Sequence, residues 1–217
     1  MQLEDLKRAI RNAGISGACY DLAYRVGVKA VRFSARQGVS LTLATLERSF
    51  LTPEPGFTYG FLDESALRPY LRRPGLELSD AFLDEALRQG HRCYGIRKGE
   101  QLAAYTWYAR RPTPLEEHLL LHFDPRWAYA YKGFTAPAFR GRRLLAAGMA
   151  MALVAQADTT CLGILSVVKR NNYSSLRAVH RLGCVDNGRL RAWRLFGRWH
   201  LSATPACEPF GLRLALR

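Results

Sequence analysis

The sequence predicts an α/β (α+β) fold, a mixed and mostly antiparallel central sheet with flanking helices. Two runs rich in Tyr, Ile, Thr and Trp, Arg92 to Arg97 and Gln101 to Ala109, flank Lys98-Gly99-Glu100, the pattern of antiparallel neighbours joined by a tight turn. Further on, the strand-like run Trp127 to Thr135 passes within a few residues into a helix-like run, Leu144 to Ala157. An apolar strand, Cys161 to Lys169, follows. A helix between two adjacent strands makes them parallel, so one parallel pair is expected inside an otherwise antiparallel sheet. With 217 residues, 48% apolar and 23% charged, the chain is long enough for a full hydrophobic core and too apolar for disorder.

The remaining elements follow in order. Leu3, Leu6 and Ile10 recur at helical spacing in Gln2 to Asn12, and Tyr20 to Gln37 makes a second helix with Arg25, Lys29, Arg32 and Arg36 on one stripe. Residues 1–38 are therefore read as a helical N-terminal extension and 39–217 as the main domain. The basic stripe fits a helix lying on the domain with its charged edge in water, or one touching an anionic membrane face. Val39 to Thr45 alternates as a strand does, with a helix as the other reading. Thr52-Pro53-Glu54-Pro55-Gly56 is a break, and Phe57 to Leu62 a strand. Asp63 caps a helix through Leu71, broken near Pro69, and Ser79 caps one running to Gln89 with Gly90 as its stop. His118 to Phe123 alternates, with His118, Leu120 and His122 on one face, so a meander of three or four strands precedes the crossover. Asn172 or Ser174 caps a helix from Tyr173 to Leu182, stopped by Gly183. An Asp186-Asn187-Gly188 turn then leads to strands at Leu190 to Phe196 and Trp199 to Ala203, and the last residues carry little signal.

Charge narrows the partners. The net charge is +14, with 15 Lys/Arg against 12 Asp/Glu in residues 1–108 and 17 against 6 in 109–217. A field concentrated in the second half favours an anionic ligand, whether coenzyme, nucleic acid or acidic lipid. No nucleic-acid recognition motif or stacking platform accompanies it, so nucleic acid is not expected as a partner. Cys19, Cys93, Cys161, Cys184 and Cys207 are scattered and never spaced Cys-x-x-Cys, which argues against a metal site or disulfide framework and for a reducing cytoplasm. The charged segment Gln2 to Arg11 does not read as a signal peptide. Leu144 to Val168 carries only Asp158 as a charge, but Asp158-Thr159-Thr160 divides it into helix and strand, which marks buried core and not a membrane span.

The stretch that carries chemistry is Thr135-Ala-Pro-Ala-Phe-Arg-Gly-Arg-Arg-Leu-Leu145. It is a strand-to-helix junction, where the first helical amides lack partners and sit at the positive end of the helix dipole. Arg140, Arg142 and Arg143 add forked donors, and Gly141 lets the backbone approach closely. A diphosphate suits such a bend.

The order strand, Thr-x-Pro-x-x-Arg-Gly-x-x, helix, strand, Asn-x-x-Ser helix, Leu-Gly-Cys strand, from Thr135 through Cys184, resembles the GCN5-related N-acetyltransferase (GNAT) superfamily. The resemblance implies a splayed parallel pair with acetyl-CoA, the acyl donor, lying in the opening. It implies that the amides of Phe134, Thr135 and Ala136 hold the pantetheine arm and those of Arg140, Gly141, Arg142, Arg143, Leu144 and Leu145 the diphosphate. Asn172 and Ser175 match a second polar contact, and Lys169 or Arg170 is within reach of the adenosine phosphate. Two departures stand out. Arg143 and Leu145 occupy positions where the family has small residues, and a β-carbon there crowds the diphosphate unless the backbone is right-handed helical. Val179 stands where many relatives carry the tyrosine that protonates the leaving thiolate, which leaves His180 and Tyr173 as substitutes.

Removing a proton from an alkyl ammonium of pKa ~10.4 calls for a base. The candidates on the meander are His118 and His122, with Glu116 and Glu117 beside them, while Tyr129 and Tyr131 line the acceptor cleft or simply fill core. The expected activity is acetyl transfer from acetyl-CoA to a primary amine, small or polymer-linked, by direct attack in the cytoplasm. Peripheral membrane contact goes with the basic helix. A catalytically degenerate GNAT-fold binding protein and a basic nucleic-acid module are the competing readings.

Overall fold

Burial is nearly continuous along β-strands such as Ser34–Leu41 and Gln101–Ala109, so the central sheet has two buried faces and each collects its own cover. The computed structural model describes residues 23 and 32–217 apart from 74, 158 and 159. The helix expected at 2–12, Arg25 and Lys29 of the basic stripe, and Cys19 lie outside the described residues. The central strands are β1 Ser34–Leu41, β2 Thr58–Leu62, β3 Arg92–Lys98, β4 Gln101–Ala109, β7 Trp127–Thr135, β8 Gly163–Lys169, β9 Val185–Leu195 and β10 Arg198–Ala203. Their order is β10-β9-β1-β8-β7-β4-β3-β2, antiparallel throughout except for β7 and β8.

One face packs against α3 Leu144–Ala155 and α4 Tyr173–Arg181, through Val39, Leu41, Tyr108, Ala130, Ile164 and Val168. Small residues let α3 settle close to the sheet: a β-carbon on Gly148 would come within 2.9 Å of Ile96 Cδ1. The other face has two covers. α1 Glu64–Leu71 and α2 Asp80–Arg88 lie over Tyr105, Trp107 and Phe134. A second sheet, ordered β11-β6-β5 from β5 Thr113–Glu116, β6 Leu119–His122 and β11 Arg213–Leu216, lies over Tyr129, Leu165 and Val167. Among the described residues no helix is long and apolar enough to cross a membrane.

Four elements differ from expectation. Residues 34–37 are strand, so helical spacing misled there, and β1 straddles the boundary drawn at 38/39. Every residue of β1 is buried between β8 and β9, and a strand buried on both faces loses the alternation that would announce it. The meander is not continuous, because β5 and β6 leave the central sheet and pair with β11, which the sequence did not announce. Asp186-Asn187-Gly188 is a bulge inside one long strand and not a turn. Gly188, at φ 89°, has Thr204 and Cys207 where a side chain would sit. α1 runs through Pro69 unbroken, held by the burial of Leu67 and Tyr70.

Candidate active site

The parallel pair is short. β7 and β8 are in register at Trp127/Gly163, Ala128/Ile164 and Tyr129/Leu165, and the ladder ends there. Beyond that point β7 continues to Thr135 on β4 while β8 continues to Lys169 on β1, so each strand keeps one neighbour and the sheet forks. At the fork the Ser166 hydroxyl donates to the Ala130 carbonyl at 3.1 Å, a side-chain bond where a ladder amide would otherwise serve. β7 also carries an extra residue against β4: the register steps from Tyr105/Phe134 to Trp107/Tyr131, and Lys132 takes φ 47°.

The fork opens a cleft of about 540 Å³. On the helix side its walls are Ala146, Met149, Ala178 and Val179; on the opposite side they are Tyr129, Tyr131, Arg36, Pro114 and Leu115. The cleft therefore reaches both faces of the sheet. A second cavity of about 210 Å³ adjoins it, bounded by Thr135, Arg140, Gly141, Arg143 and Arg181, with Leu145, Ala146 and Ala178 common to both.

The bend has unusual backbone. Gly141 is at φ 83° and Arg143, the residue that starts α3, is at φ 57°, ψ 19° without a side-chain cap. Arg143 thus keeps a conformation that glycine adopts freely and that disfavours other residues by about 1 kcal/mol. It is left-handed, so the right-handed backbone that would clear its β-carbon from the cradle is not there. Leu145 is helical, and its methyls turn toward Gly133, 3.4 Å from where a β-carbon would stand. The first intrahelical bond of α3 is Ala147 N–H to the Arg143 carbonyl, 3.1 Å, so the amides of Leu144, Leu145 and Ala146 precede the helical ladder.

Two of the expected amides are already engaged: Ala136 donates to Ala103 at 2.9 Å and Arg140 to Pro137 at 3.3 Å. The amides that precede the helical ladder are therefore those of Leu144 to Ala146, one step into the helix. Phe134 is buried against Tyr105 on the α2 side, and Thr135 lines the smaller cavity, so the β7 residues that reach the cleft are Tyr129 to Gly133. Arg142 turns away to Glu54 at 2.5 Å. Asn172 caps α4, accepting from the Ser175 amide at 3.2 Å, and Asn172, Ser175, Ala178 and Val179 present one helical face to the cleft together with Lys169.

Solved structures match the fold. A GNAT-family protein from Novosphingobium aromaticivorans aligns with TM-score 0.54 at 19% identity, over 80% of this chain and 67% of its own. A GCN5-related N-acetyltransferase from Sphaerobacter thermophilus aligns at 0.51 and 9% identity, over 94% of this chain and 57% of its own. A tandem GNAT protein from the clavulanic acid biosynthesis pathway aligns at 0.50 and 15%, over 84% of this chain and 58% of its own. The chain has the GNAT fold. It spans between 57% and 67% of the length of these three proteins. No protein-family model matches it, and no curated protein does.

Within this GNAT fold the acid and base candidates His118, His122, Glu116, Glu117, His180 and Tyr173 are not among the cleft's walls. His118 borders a separate recess with Glu117, its ring 6.2 Å from that of Trp199. His122 lies 3.3 Å from Arg213 Nη2 on the second sheet, and burial followed by that guanidinium lowers its pKa. His180 is exposed, on the flank of α4 facing Asp186 at 2.9 Å, while its neighbour Val179 faces the cleft. Tyr173 is not among the cleft's walls. Among the described residues no cysteine borders the cleft, and burial pushes the Cys184 thiol up to about 12.

The face opposite the helices brings together four residues the sequence singled out, Arg36, Glu116, Tyr129 and Tyr131, and two it did not, Ser34 and His91. Arg36, its side chain 10% exposed, donates to Glu116 Oε1 at 2.5 Å, and Ser34 Oγ donates to the same oxygen at 2.9 Å. Tyr131 stacks on Tyr129, 5.9 Å between centroids, and its hydroxyl is 2.5 Å from Nδ1 of the buried His91. Burial raises the pKa of both tyrosines and lowers that of His91.

Proposed function

We propose that the chain transfers an acetyl group from acetyl-CoA to a primary amine by direct attack. The observation that carries this reading is the forked parallel pair opening on both faces of the sheet. The donor enters from the helix side, with its diphosphate on the amides at the start of α3 and between Arg140, Arg143 and Arg181. Its thioester reaches the fork, and the amine arrives from the face bearing Tyr129, Tyr131 and Leu115. A backbone donor at the β7 bulge serves the carbonyl oxygen as charge develops, and the two-sided cleft holds the reactants in line. A leaving thiolate of pKa about 8.5 asks little of an acid. Among the described residues no cysteine borders the cleft to serve as an acyl-enzyme nucleophile, in keeping with direct attack.

One observation favours a second reading. Val179, an apolar side chain, faces the cleft where relatives place an acid, as a GNAT-fold binding protein without turnover would have it. Calorimetric titration with acetyl-CoA, followed by a thioester-cleavage assay over amino sugars, peptides with free N-termini, polyamines and lipid-linked amines, separates the two. Micromolar binding with amine-dependent thiol release supports the transferase; binding without release on any amine supports the second reading; no binding defeats both.

A further inference from the structure

We infer that His91 and Tyr131 form a proton relay serving the acceptor amine, Tyr131 as the group that meets the amine and His91 as the positioning residue and proton acceptor behind it. This rests on the transferase reading. His91 sits between the end of α2 and the start of β3, and Tyr131 reaches it from the middle of β7, at the level where β7 and β8 have parted. The Tyr131 ring borders the cleft, and its hydroxyl is 2.5 Å from His91 Nδ1. The pair is held edge to face, 5.4 Å between ring centroids, with Phe82 packed edge-on to Tyr131 and Trp107.

The other imidazole nitrogen decides what the pair does. Nε2 is buried and makes no hydrogen bond. With Nδ1 accepting from the Tyr131 hydroxyl, the neutral ring carries its proton on Nε2, and an added proton goes to Nδ1, where the Tyr131 oxygen accepts it. Glu85 favours that charge, whereas Arg111 and burial oppose it; Tyr129 and Cys93 are the titratable neighbours of Tyr131. Burial, the largest of these influences, favours the neutral ring, the form that can accept from Tyr131. A purely structural histidine in such a pocket would leave the same nitrogen unpaired with no return, since a phenylalanine of similar volume would fill the space.

The step balances without any further reagent. The amine nitrogen bonds to the acetyl carbon as the carbon–sulfur bond breaks. Of the two protons the ammonium loses, one passes to the Tyr131 oxygen as the Tyr131 proton moves to His91 Nδ1. The other goes to the departing thiolate. After release of the amide, the His91 proton returns through Tyr131 to water in the opened cleft.

The test uses the whole protein and the best amine from the panel. His91→Asn places an oxygen near the Nδ1 position, which can accept from Tyr131 but cannot carry a proton. We expect kcat to fall about 100-fold, the acidic limb of the kcat profile to vanish and the acetyl-CoA Kd to stay unchanged. Tyr131→Phe is expected to give a similar loss, and the double variant no more than either alone. If His91→Asn keeps kcat within about threefold and retains the acidic limb, the relay is wrong while the transferase stands. If the unaltered protein binds no acetyl-CoA, both readings fall together. A measurement free of folding effects is the imidazole 15N spectrum of the unaltered protein near neutral pH: an Nε2–H tautomer with Nδ1 accepting supports the relay, and an Nδ1–H tautomer or a charged ring overturns it.

Discussion

The two ends of the cleft are built from different material. At the bend, residues 135–146 form one short local stretch, and what it offers is mainly backbone: helical amides ahead of their ladder, a left-handed Gly141 and Arg143, and a small side chain at Ala146. On the opposite face the groups are side chains gathered from distant strands. Arg36 comes from β1, Glu116 from β5, Tyr131 from β7 and His91 from the entry to β3. The helix end of the cleft can thus lose a side chain and keep its shape, whereas the opposite end depends on the side chains it gathers.

That contrast is best broken by filling space. Ala146→Phe puts a ring where both cavities meet, and acetyl-CoA affinity should fall about 100-fold or more by calorimetry, roughly 2.7 kcal/mol, with the fold intact. Replacing Arg140 by Glu should weaken binding less, about tenfold, because the amides remain. Glu116→Gln sharpens the other side. It leaves the buried Arg36 guanidinium without its countercharge, and since Glu116 is 37% exposed the stability loss in urea should be about 1–2 kcal/mol, with acetyl-CoA binding unchanged.

Smaller effects probe strain and charge. Arg143→Gly removes a side chain from left-handed backbone and should raise stability by up to about 1 kcal/mol while costing a few-fold in donor affinity, read from paired melts and titrations. Burial holds the His91 pKa below its ordinary value near 6.5, so the unfolded chain binds the proton first as pH falls. Stability should therefore be fully present above about pH 7 and decline as pH falls below about 6.5, with a shallower decline in His91→Asn; His122 adds in the same direction.

The same contrast explains what could be read in advance. The bend, the crossover, the Ser79 and Asn172 caps and the β3–β4 hairpin are local patterns, carried by residues a few positions apart, and they stand where the sequence places them. The second sheet and the course of β1 depend on pairing across the chain. Leu119 to His122 alternates as a strand should, yet nothing local tells it to pair with Arg213–Leu216 instead of its neighbours in the central sheet. His118 and His122 attract attention by their spacing, and the structure places His118 in the turn before β6 and His122 at its end, neither among the walls of the cleft. His91 has the opposite fate. It reads as the residue after the Gly90 helix stop, and only the approach of β7 brings Tyr131 to it.

The most direct test is an amide chemical-shift titration of the isotope-labelled protein with acetyl-CoA. Saturable shifts should cluster at Gly141 to Ala146, at Ala130 to Gly133 and at Ser166 to Lys169, with the amides of the second sheet unmoved. Shifts confined to the basic β9–β10 hairpin, or an unshifted fork between β7 and β8, would contradict the account.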